Sequence, residues 1–274
     1  MNELDTGSFT YYETSLMFHG SLMNIMGTRF DILLLGKNKE QAEAIWYKIE
    51  SGLKQLHAVL NRFDETSETS RINRDAPHQF VEVSDKMWHI LNNCKYYYQK
   101  TSGLFDITLK DFSAIQLDEE RKSVFFENTQ TRIDFGGYGK GYALKKIKVI
   151  LEESGIQHCL VDFGNSSILG MGHHPYGDAW EITIENPYNL GQLVDKIALK
   201  DKSLSISGNT PAYSGHIVSP GSGQPVEEHK IVSVIAKDPL DAEILSTAFM
   251  IANRKQREQI KKNFTIQTVK EYRL

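Results

Sequence analysis

Residues 134–142 read Asp-Phe-Gly-Gly-Tyr-Gly-Lys-Gly-Tyr, a glycine-rich turn between a predicted strand and a predicted helix. Free backbone N–H groups at the start of a helix favour the binding of a phosphate. The spacing excludes both common phosphate motifs, because Gly141 rather than Ser or Thr follows Lys140, and the glycines give G-x-G-x-G instead of G-x-G-x-x-G. Taken alone, the turn indicates either a phosphate site or a tight bend that needs glycine for its backbone.

The sequence on both sides of this turn predicts several helices. Apolar residues recur every three or four positions from Ala42 to Leu60, which is typical of a helix that faces a core. Ser84 is a residue type that begins helices, and Gly155 is one that ends them. The predicted helices are 42–60, the segment from Ser84 to about Gly103, 142–154, 241–252 and a short basic helix after it.

The remaining segments predict strands and connecting turns. The predicted strands are 26–36, 158–163, 167–171, 180–185, 195–205, 231–236 and 265–269, with a hairpin over 123–135 closed near Asn128. We expect an ordered polar loop over 61–76. Neighbouring strands at hairpin spacing predict an α+β fold with a mostly antiparallel sheet flanked by helices. Residues 1–24 are predicted to form an N-terminal arm, extended or lying at a sheet edge, and residues 25–274 a single domain.

The amino-acid composition limits the classes of partner that we expect for the chain. It has 274 residues, 40 % of them hydrophobic, and a formal net charge of −4. It can therefore bury a sizeable core, but it lacks the basic excess typical of nucleic-acid-binding proteins. Two cysteines are too few for a disulfide scaffold or a cysteine zinc cluster. No apolar run approaches the ~20 residues that span a bilayer. We expect no nucleic-acid partner, no membrane span and a cytoplasmic location, or export if a signal segment has been removed.

A second candidate site lies at Asp241-Ala-Glu-Ile-Leu-Ser-Thr247. Glu243 and Thr247 are four residues apart, so they share one face of a helix, and Ser246 is adjacent. A carboxylate with two hydroxyls suits a hard cation such as Mg²⁺, which prefers oxygen ligands. The alternative is an ordinary helix start, where acidic residues favour the positive end of the dipole.

One histidine stands out as a candidate base. His216 lies where a predicted strand runs into a Pro/Gly-rich turn. A histidine at a loop edge can act as a general base near neutral pH, although isolated histidines also serve structural roles.

The order of these segments resembles the FAD:protein FMN transferases, the ApbE family of magnesium-dependent flavin transferases. The resemblance runs from Met26 to about Ala252, and several ordered blocks are more specific than any single one. The blocks are Met26-Gly-Thr28, Asn61-Arg-Phe-Asp-Glu-Thr-Ser-Glu-Thr-Ser-Arg-Ile-Asn73, Gly103-Leu-Phe-Asp-Ile-Thr108, 134–143, Leu160-Val-Asp-Phe-Gly164, Ser207-Gly208, His216-Ile-Val-Ser-Pro220 with Gly223, and 242–248.

The resemblance implies that FAD binds in a cleft between two lobes. It implies cleavage of the FAD pyrophosphate, transfer of FMN to a Ser or Thr hydroxyl of a partner protein, and release of AMP. Carried over by position, the residues that line the nucleotide are Met26, Phe63, Leu104, Phe105, Asp106, Asp134, Lys140 and Val218. By the same resemblance, Mg²⁺ lies between the Gly137 carbonyl and the face of Glu243, Ser246 and Thr247, and His216 takes the hydroxyl proton.

The chain departs from the family pattern at several positions near the chemistry, and three of them bear most on activity. Glu243 replaces the usual metal-binding Asp, Ser219 replaces an Asp, and Lys145 stands where the family often has Asp. Mg²⁺ demands near-ideal octahedral geometry, so the longer Glu243 side chain affects the metal site most directly. These departures leave two alternatives to flavin transfer: a non-catalytic protein that binds FAD or another adenine nucleotide, and a pyrophosphatase that converts FAD to FMN and AMP.

Overall fold

A computed structural model of the chain describes residues 7–211, 215 and 217–274. The helices are α1 (Lys39–Leu60), α2 (Glu68–Asp75), α3 (Asp85–Lys100), α4 (Gly139–Glu153), α5 (Pro239–Ile251) and α6 (Arg254–Lys261). The strands are β1 (Ser8–Tyr12), β2 (Met17–Ile25), β3 (Thr28–Leu35), β4 (Val81–Glu82), β5 (Ile115–Asp118), β6 (Ser123–Phe126), β7 (Cys159–Phe163), β8 (Ser167–Met171), β9 (Trp180–Glu185), β10 (Leu193–Leu199), β11 (Lys202–Gly208), β12 (Val218–Ser219), β13 (Gln224–Pro225), β14 (Lys230–Ala236) and β15 (Ile266–Arg273).

A large sheet organises the fold, with strands in the order β1-β2-β3-β7-β8-β11-β14-β15. Each neighbouring pair in this sheet is antiparallel. The smaller sheets are the β9–β10 and β12–β13 pairs and a three-stranded sheet in the order β4-β6-β5. The predicted α+β class, a mostly antiparallel sheet with flanking helices, is confirmed.

The middle of the large sheet is covered on both faces. On β14, Val232 and Val234 belong to the apolar cluster that includes residues of α5, whereas Ile231 and Ile235 belong to the cluster formed with the β9–β10 hairpin. This division follows from the two-residue period of a strand, which sends successive side chains to opposite faces. As a result, β8 and β14 are buried at every residue.

The two long N-terminal helices form where the sequence predicts them. In α1, the buried residues are the predicted stripe, Ala42, Ile45, Trp46, Ile49, Leu53, Leu56 and Leu60. Asn38 caps this helix by accepting a 2.9 Å hydrogen bond from the Gln41 N–H. Ser84 caps α3 by accepting from the Met87 N–H at 3.2 Å, as predicted. Each cap satisfies a backbone donor that a helix start otherwise leaves unpaired.

The hairpin predicted over 123–135 is wrong in its boundaries. The structure pairs β5 with β6, so the chain reverses over 119–122 rather than near Asn128. Lys122 in this turn has a φ of 46°, in the left-handed region. Residues 127–135 form no strand, and the Ile133 N–H instead donates to Asn73 Oδ1 at 2.7 Å.

Two further segments differ from the prediction. The strand predicted over 195–205 is two strands, β10 and β11, which are separated by a reversal at Lys200 and Asp201. The loop predicted over 61–76 contains α2, whose cap is Ser67 accepting from the Ser70 N–H at 3.0 Å.

The described part of the predicted N-terminal arm belongs to the large sheet. β1 lies at its edge and pairs with β2, which in turn pairs with β3. The division of the chain into residues 1–24 and a domain over 25–274 stays a prediction. Among the described residues, no helix combines the length and apolar character needed to cross a bilayer.

Candidate functional site

The glycine turn of residues 134–142 lies against the first turns of α5. A Cβ at Gly137 would lie 3.7 Å from Thr247 Oγ1, and a Cβ at Gly141 would lie 2.4 Å from Glu243 Cβ. The helix α4 begins at Gly139, inside the glycine turn and before the predicted start at Tyr142. The structure thus brings together the two segments that the sequence analysis assigned to one metal site. Their roles toward a ligand stay predictions.

Gly141 is required for this close approach, because a Cβ there would also lie 3.1 Å from the Pro239 carbonyl oxygen. We expect Gly141→Ala to destabilise the protein by about 1–3 kcal/mol through overpacking. Gly52 in α1 has no atom within 4 Å of an added Cβ, so Gly52→Ala is expected to stabilise the protein by about 0.5–1 kcal/mol. Urea denaturation of both variants measures the difference, and equal stabilities would contradict the proposed α4–α5 contact.

The Glu243 carboxylate is buried, and hydrogen-bond donors occupy both of its oxygens. Lys140 Nζ donates to Oε1 at 2.8 Å. Oε2 accepts from Ser167 Oγ and from Ser205 Oγ, the latter at 3.2 Å. The Glu243 side chain is only 5 % exposed, so the Lys140 ammonium is the cation that balances its charge. Lys140, which was predicted to line the nucleotide, is therefore bound to Glu243, which was predicted to bind the metal.

A row of serines on β11 faces the same cluster. Ser205 Oγ and Ser207 Oγ lie 2.9 and 2.8 Å from Ser246 Oγ, whereas the buried Ser203 Oγ has no hydrogen-bond partner among the described atoms. Ser205 and Ser167 were not predicted as site residues, and Ser207 was named only within a family-like block. The sequence contains a pattern that could have indicated the two serines of β11, since serines at alternate positions of a strand share one face.

The predicted metal ligands fit Mg²⁺ in their chemistry. Ser246 and Thr247 both donate to the Glu243 carbonyl oxygen, at 3.0 and 3.4 Å. Carboxylate, hydroxyl and carbonyl oxygens are the donors that Mg²⁺ prefers. In the part of the chain that the structure describes, no group of three or more His, Cys, Asp and Glu side chains is arranged to hold a metal. A divalent ion here would rely on Glu243 for charge and on Gly137, Ser246 and Thr247 for neutral oxygens.

Asp134 connects the glycine turn to an exposed aromatic residue. Its carboxylate accepts from the Gly136 N–H at 2.8 Å and pairs with Arg62 Nε at 2.8 Å. The Arg62 guanidinium lies 4.4 Å from the centroid of the Phe63 ring. Phe63 is 80 % exposed, which leaves its ring open to stacking with a planar ligand. Arg62, for which no role was predicted, is the residue that links Asp134 to Phe63.

The loop of Leu104, Phe105 and Asp106 packs beside the glycine turn. Phe105 is buried, and its ring lies 3.9 Å from a Cβ placed at Gly137. Burial raises the pKa of Asp106, although its carboxylate accepts hydrogen bonds from Thr108 and from the Phe112 N–H. Because those bonds lie within the loop, the Asp106 side chain holds the loop in shape. Leu104 packs against the apolar cluster of α5 and β14.

Met26 also lies against the glycine turn. Its sulfur lies 3.6 Å from a Cβ placed at Gly139. Met26 has a φ of 48°, and its N–H donates to His57 Nδ1 at 2.8 Å. Burial lowers the pKa of His57, which favours the neutral imidazole that can accept this bond. His57 was not predicted, and it fixes the backbone of a predicted nucleotide-lining residue.

The strand pair β12–β13 supplies the last predicted positions. Val218 is half-buried and pairs with Pro225 across the ladder. The Gly221 N–H in the connecting turn donates to the Lys110 carbonyl at 3.0 Å, which ties this hairpin to the chain after Asp106. His216, predicted as the general base, lies outside the described residues.

Two concavities lie elsewhere on the described part of the chain, and one of them reaches the glycine turn at Tyr142. A groove of about 160 Å³ lies between α1 and α4, and a broad depression lies beside α6. The ligand cleft expected between two lobes stays a prediction. At the glycine turn, Tyr138 gives no side-chain cap to α4, so the start of this helix suits an anionic ligand such as a phosphate.

The ApbE family model matches residues 26–115 and 109–269 of this chain. A curated protein of Klebsiella pneumoniae (strain 342) named FAD:protein FMN transferase is 24 % identical over 277 residues, covering 86 % of this chain and 79 % of that protein. The protein of the same name from Salmonella typhimurium is 22 % identical over 276 residues, with coverage of 86 % and 79 %.

Solved structures show the same architecture. The flavin transferase ApbE of Vibrio cholerae has a TM-score of 0.77 at 18 % identity, covering 97 % of both chains. The ApbE protein of Thermotoga maritima has a TM-score of 0.77 at 22 % identity, covering 89 % of both chains. At these identities the likeness shows a shared fold.

Proposed function

This chain belongs to the ApbE family, and from that premise we propose that it transfers FMN from FAD to a Ser or Thr hydroxyl of a partner protein and releases AMP. It is an enzyme of the flavin-transferase class, as the names of its curated relatives indicate. The observation that carries the proposal is the contact between the glycine turn and α5, since it places the uncapped start of α4, which suits an anion, beside the oxygen cluster of Glu243, Ser246 and Thr247.

The proposed reaction is a single displacement at phosphorus. The acceptor hydroxyl oxygen forms a bond to the phosphorus on the flavin side of the pyrophosphate. The bond from that phosphorus to the bridging oxygen breaks, and AMP leaves with its electron pair. The hydroxyl proton goes to a base, the role that we assign to His216. No oxidant or reductant is needed, because FAD and a hydroxyl give the FMN ester, AMP and a proton.

The residues around the glycine turn are proposed to bind the nucleotide. The exposed Phe63 ring offers a stacking surface for a flavin or an adenine. Asp134 pairs with Arg62, and Asp106 accepts a hydrogen bond from the Phe112 N–H. These contacts hold the backbone around the glycine turn and of the loop after Leu104. Met26, Leu104, Phe105, Lys140 and Val218 complete the proposed lining. When bound, Mg²⁺ would neutralise pyrophosphate charge, and the proposed ligands are Gly137, Glu243, Ser246 and Thr247.

The test is an intact-mass assay with FAD, MgCl₂ and an acceptor that the Klebsiella pneumoniae relative modifies, using that relative as positive control. We expect the acceptor to gain the mass of an FMN ester, with one AMP released per transfer. Release of FMN and AMP regardless of acceptor would show a pyrophosphatase instead. FAD binding without turnover would show a binding protein, and either outcome would contradict the proposal.

A further inference from the structure

Two lysine–carboxylate pairs join α4 to α5 and to Asp238, the residue that caps the start of α5. Lys140 Nζ lies 2.8 Å from Glu243 Oε1, and Lys145 Nζ lies 2.6 Å from Asp238 Oδ2. The side chains of the first pair are 20 % and 5 % exposed, those of the second 44 % and 32 %. The pairs are therefore alike in chemistry and in the helices that they connect, but differ in their access to water.

This difference decides what happens when the lysine moves away. Water can solvate Asp238 in place of Lys145, so the loss of that pair costs little. Glu243 is enclosed by Ser167 and Ser205, whose hydroxyls donate to one of its oxygens and carry no charge. A buried carboxylate without a cation is strongly unfavourable, so Glu243 in its ionised form requires either Lys140 or another positive ion.

We propose that Lys140 is the resident cation of Glu243 and that it competes with a divalent metal ion for this carboxylate. The Glu243 oxygen available to a metal is the one that Lys140 Nζ occupies, because the other oxygen accepts from two serines. Metal binding at Glu243 therefore requires that the flexible Lys140 side chain withdraw. The identity of the ion as Mg²⁺ rests on the proposed function, whereas the competition itself rests on the ion pair.

The test titrates the protein with Mn²⁺ as a paramagnetic substitute for Mg²⁺, in the absence of nucleotide and acceptor, and measures free Mn²⁺ by electron paramagnetic resonance. Lys140→Met is expected to bind Mn²⁺ at least about tenfold more tightly than the wild type, because the buried carboxylate then lacks a cation. The matched control Lys145→Met should bind like the wild type. In Lys140→Met/Glu243→Gln, the gain should disappear. Equal affinity of Lys140→Met and the wild type, or an equal gain in Lys145→Met, would overturn the proposal.

A second measurement uses the wild-type protein and so does not depend on how Lys140→Met folds. Lysines are acetylated with a limiting N-hydroxysuccinimide ester, with and without saturating MnCl₂, and each site is quantified by peptide mass spectrometry. Mn²⁺ should increase the modification of Lys140 several-fold and leave that of Lys145 unchanged. An unchanged Lys140 would overturn the competition. Neither measurement involves FAD. A failure of the proposed competition between Lys140 and the metal can therefore be distinguished from a failure of FMN transfer.

Discussion

Replacing His216 with Ala is expected to slow FMN transfer by about 10²–10⁴-fold, the usual contribution of a general base. The attacking hydroxyl must lose its proton as the bond to phosphorus forms, and the resemblance to the family assigns this proton to His216. FAD affinity should change little, because the imidazole acts on the acceptor and not on the nucleotide. The loss should therefore appear in the rate of the chemical step.

Single-turnover transfer measured by acceptor mass, together with FAD affinity from flavin fluorescence, separates the two effects. His89→Ala is the matched control, since His89 is an exposed histidine on α3 with no predicted role. FMN transfer by His216→Ala at the wild-type rate would contradict the assignment of His216 as the base. A variant that loses FAD affinity in proportion to rate would instead give His216 a binding role.

Replacing Thr247 with Ala is the second change with a large expected effect. Thr247 Oγ1 lies beside the backbone of Gly137, at the contact between the glycine turn and α5. Loss of this oxygen donor is expected to weaken the affinity for Mg²⁺ by about tenfold or more, and FMN transfer at limiting Mg²⁺ should fall with it. Transfer rates measured across an MgCl₂ series give the apparent affinity for the metal.

Ser203→Ala provides the comparison for this measurement. The Ser203 hydroxyl is buried without a hydrogen-bond partner among the described residues, so its removal breaks no bond. It lies on the same strand as Ser205 and Ser207, but it has no assigned part in the metal site. Equal Mg²⁺ dependence in Thr247→Ala and Ser203→Ala would count against the placement of the metal beside Thr247.

Local patterns in the sequence were sufficient to predict most of the helices. The stripe of α1 and the Ser84 cap of α3 depend on residues within a few positions of each other, so periodicity and capping rules apply directly. The hairpin of β5 and β6 was misplaced because its turn contains Lys122 in a left-handed conformation, without the glycine that usually marks such a turn. The split between β10 and β11 was not predicted because the turn between them also lacks glycine. Asp201 takes the positive φ there instead.

The candidate site depends on contacts that no local pattern contains. Lys140 and Glu243 are 103 residues apart, and only the order of family-like blocks suggested that their two segments meet; the ion pair itself was not predicted. The hydroxyls that hold Glu243 come from β8 and β11, two neighbouring strands of the sheet. Their role follows from the pairing of these strands, which the sequence alone did not establish. The roles of the predicted site residues in binding and catalysis stay predictions.

The position of β14 has a consequence for synthesis of the protein. All seven of its residues are buried, and its outer neighbour in the sheet is β15, which follows it in the chain after α5 and α6. While a nascent chain is still attached to the ribosome, β14 therefore has one uncovered edge until the residues of β15 emerge. An apolar strand with an open edge invites association with other chains, so this interval is the stage of biogenesis at which a molecular chaperone would protect the protein most effectively.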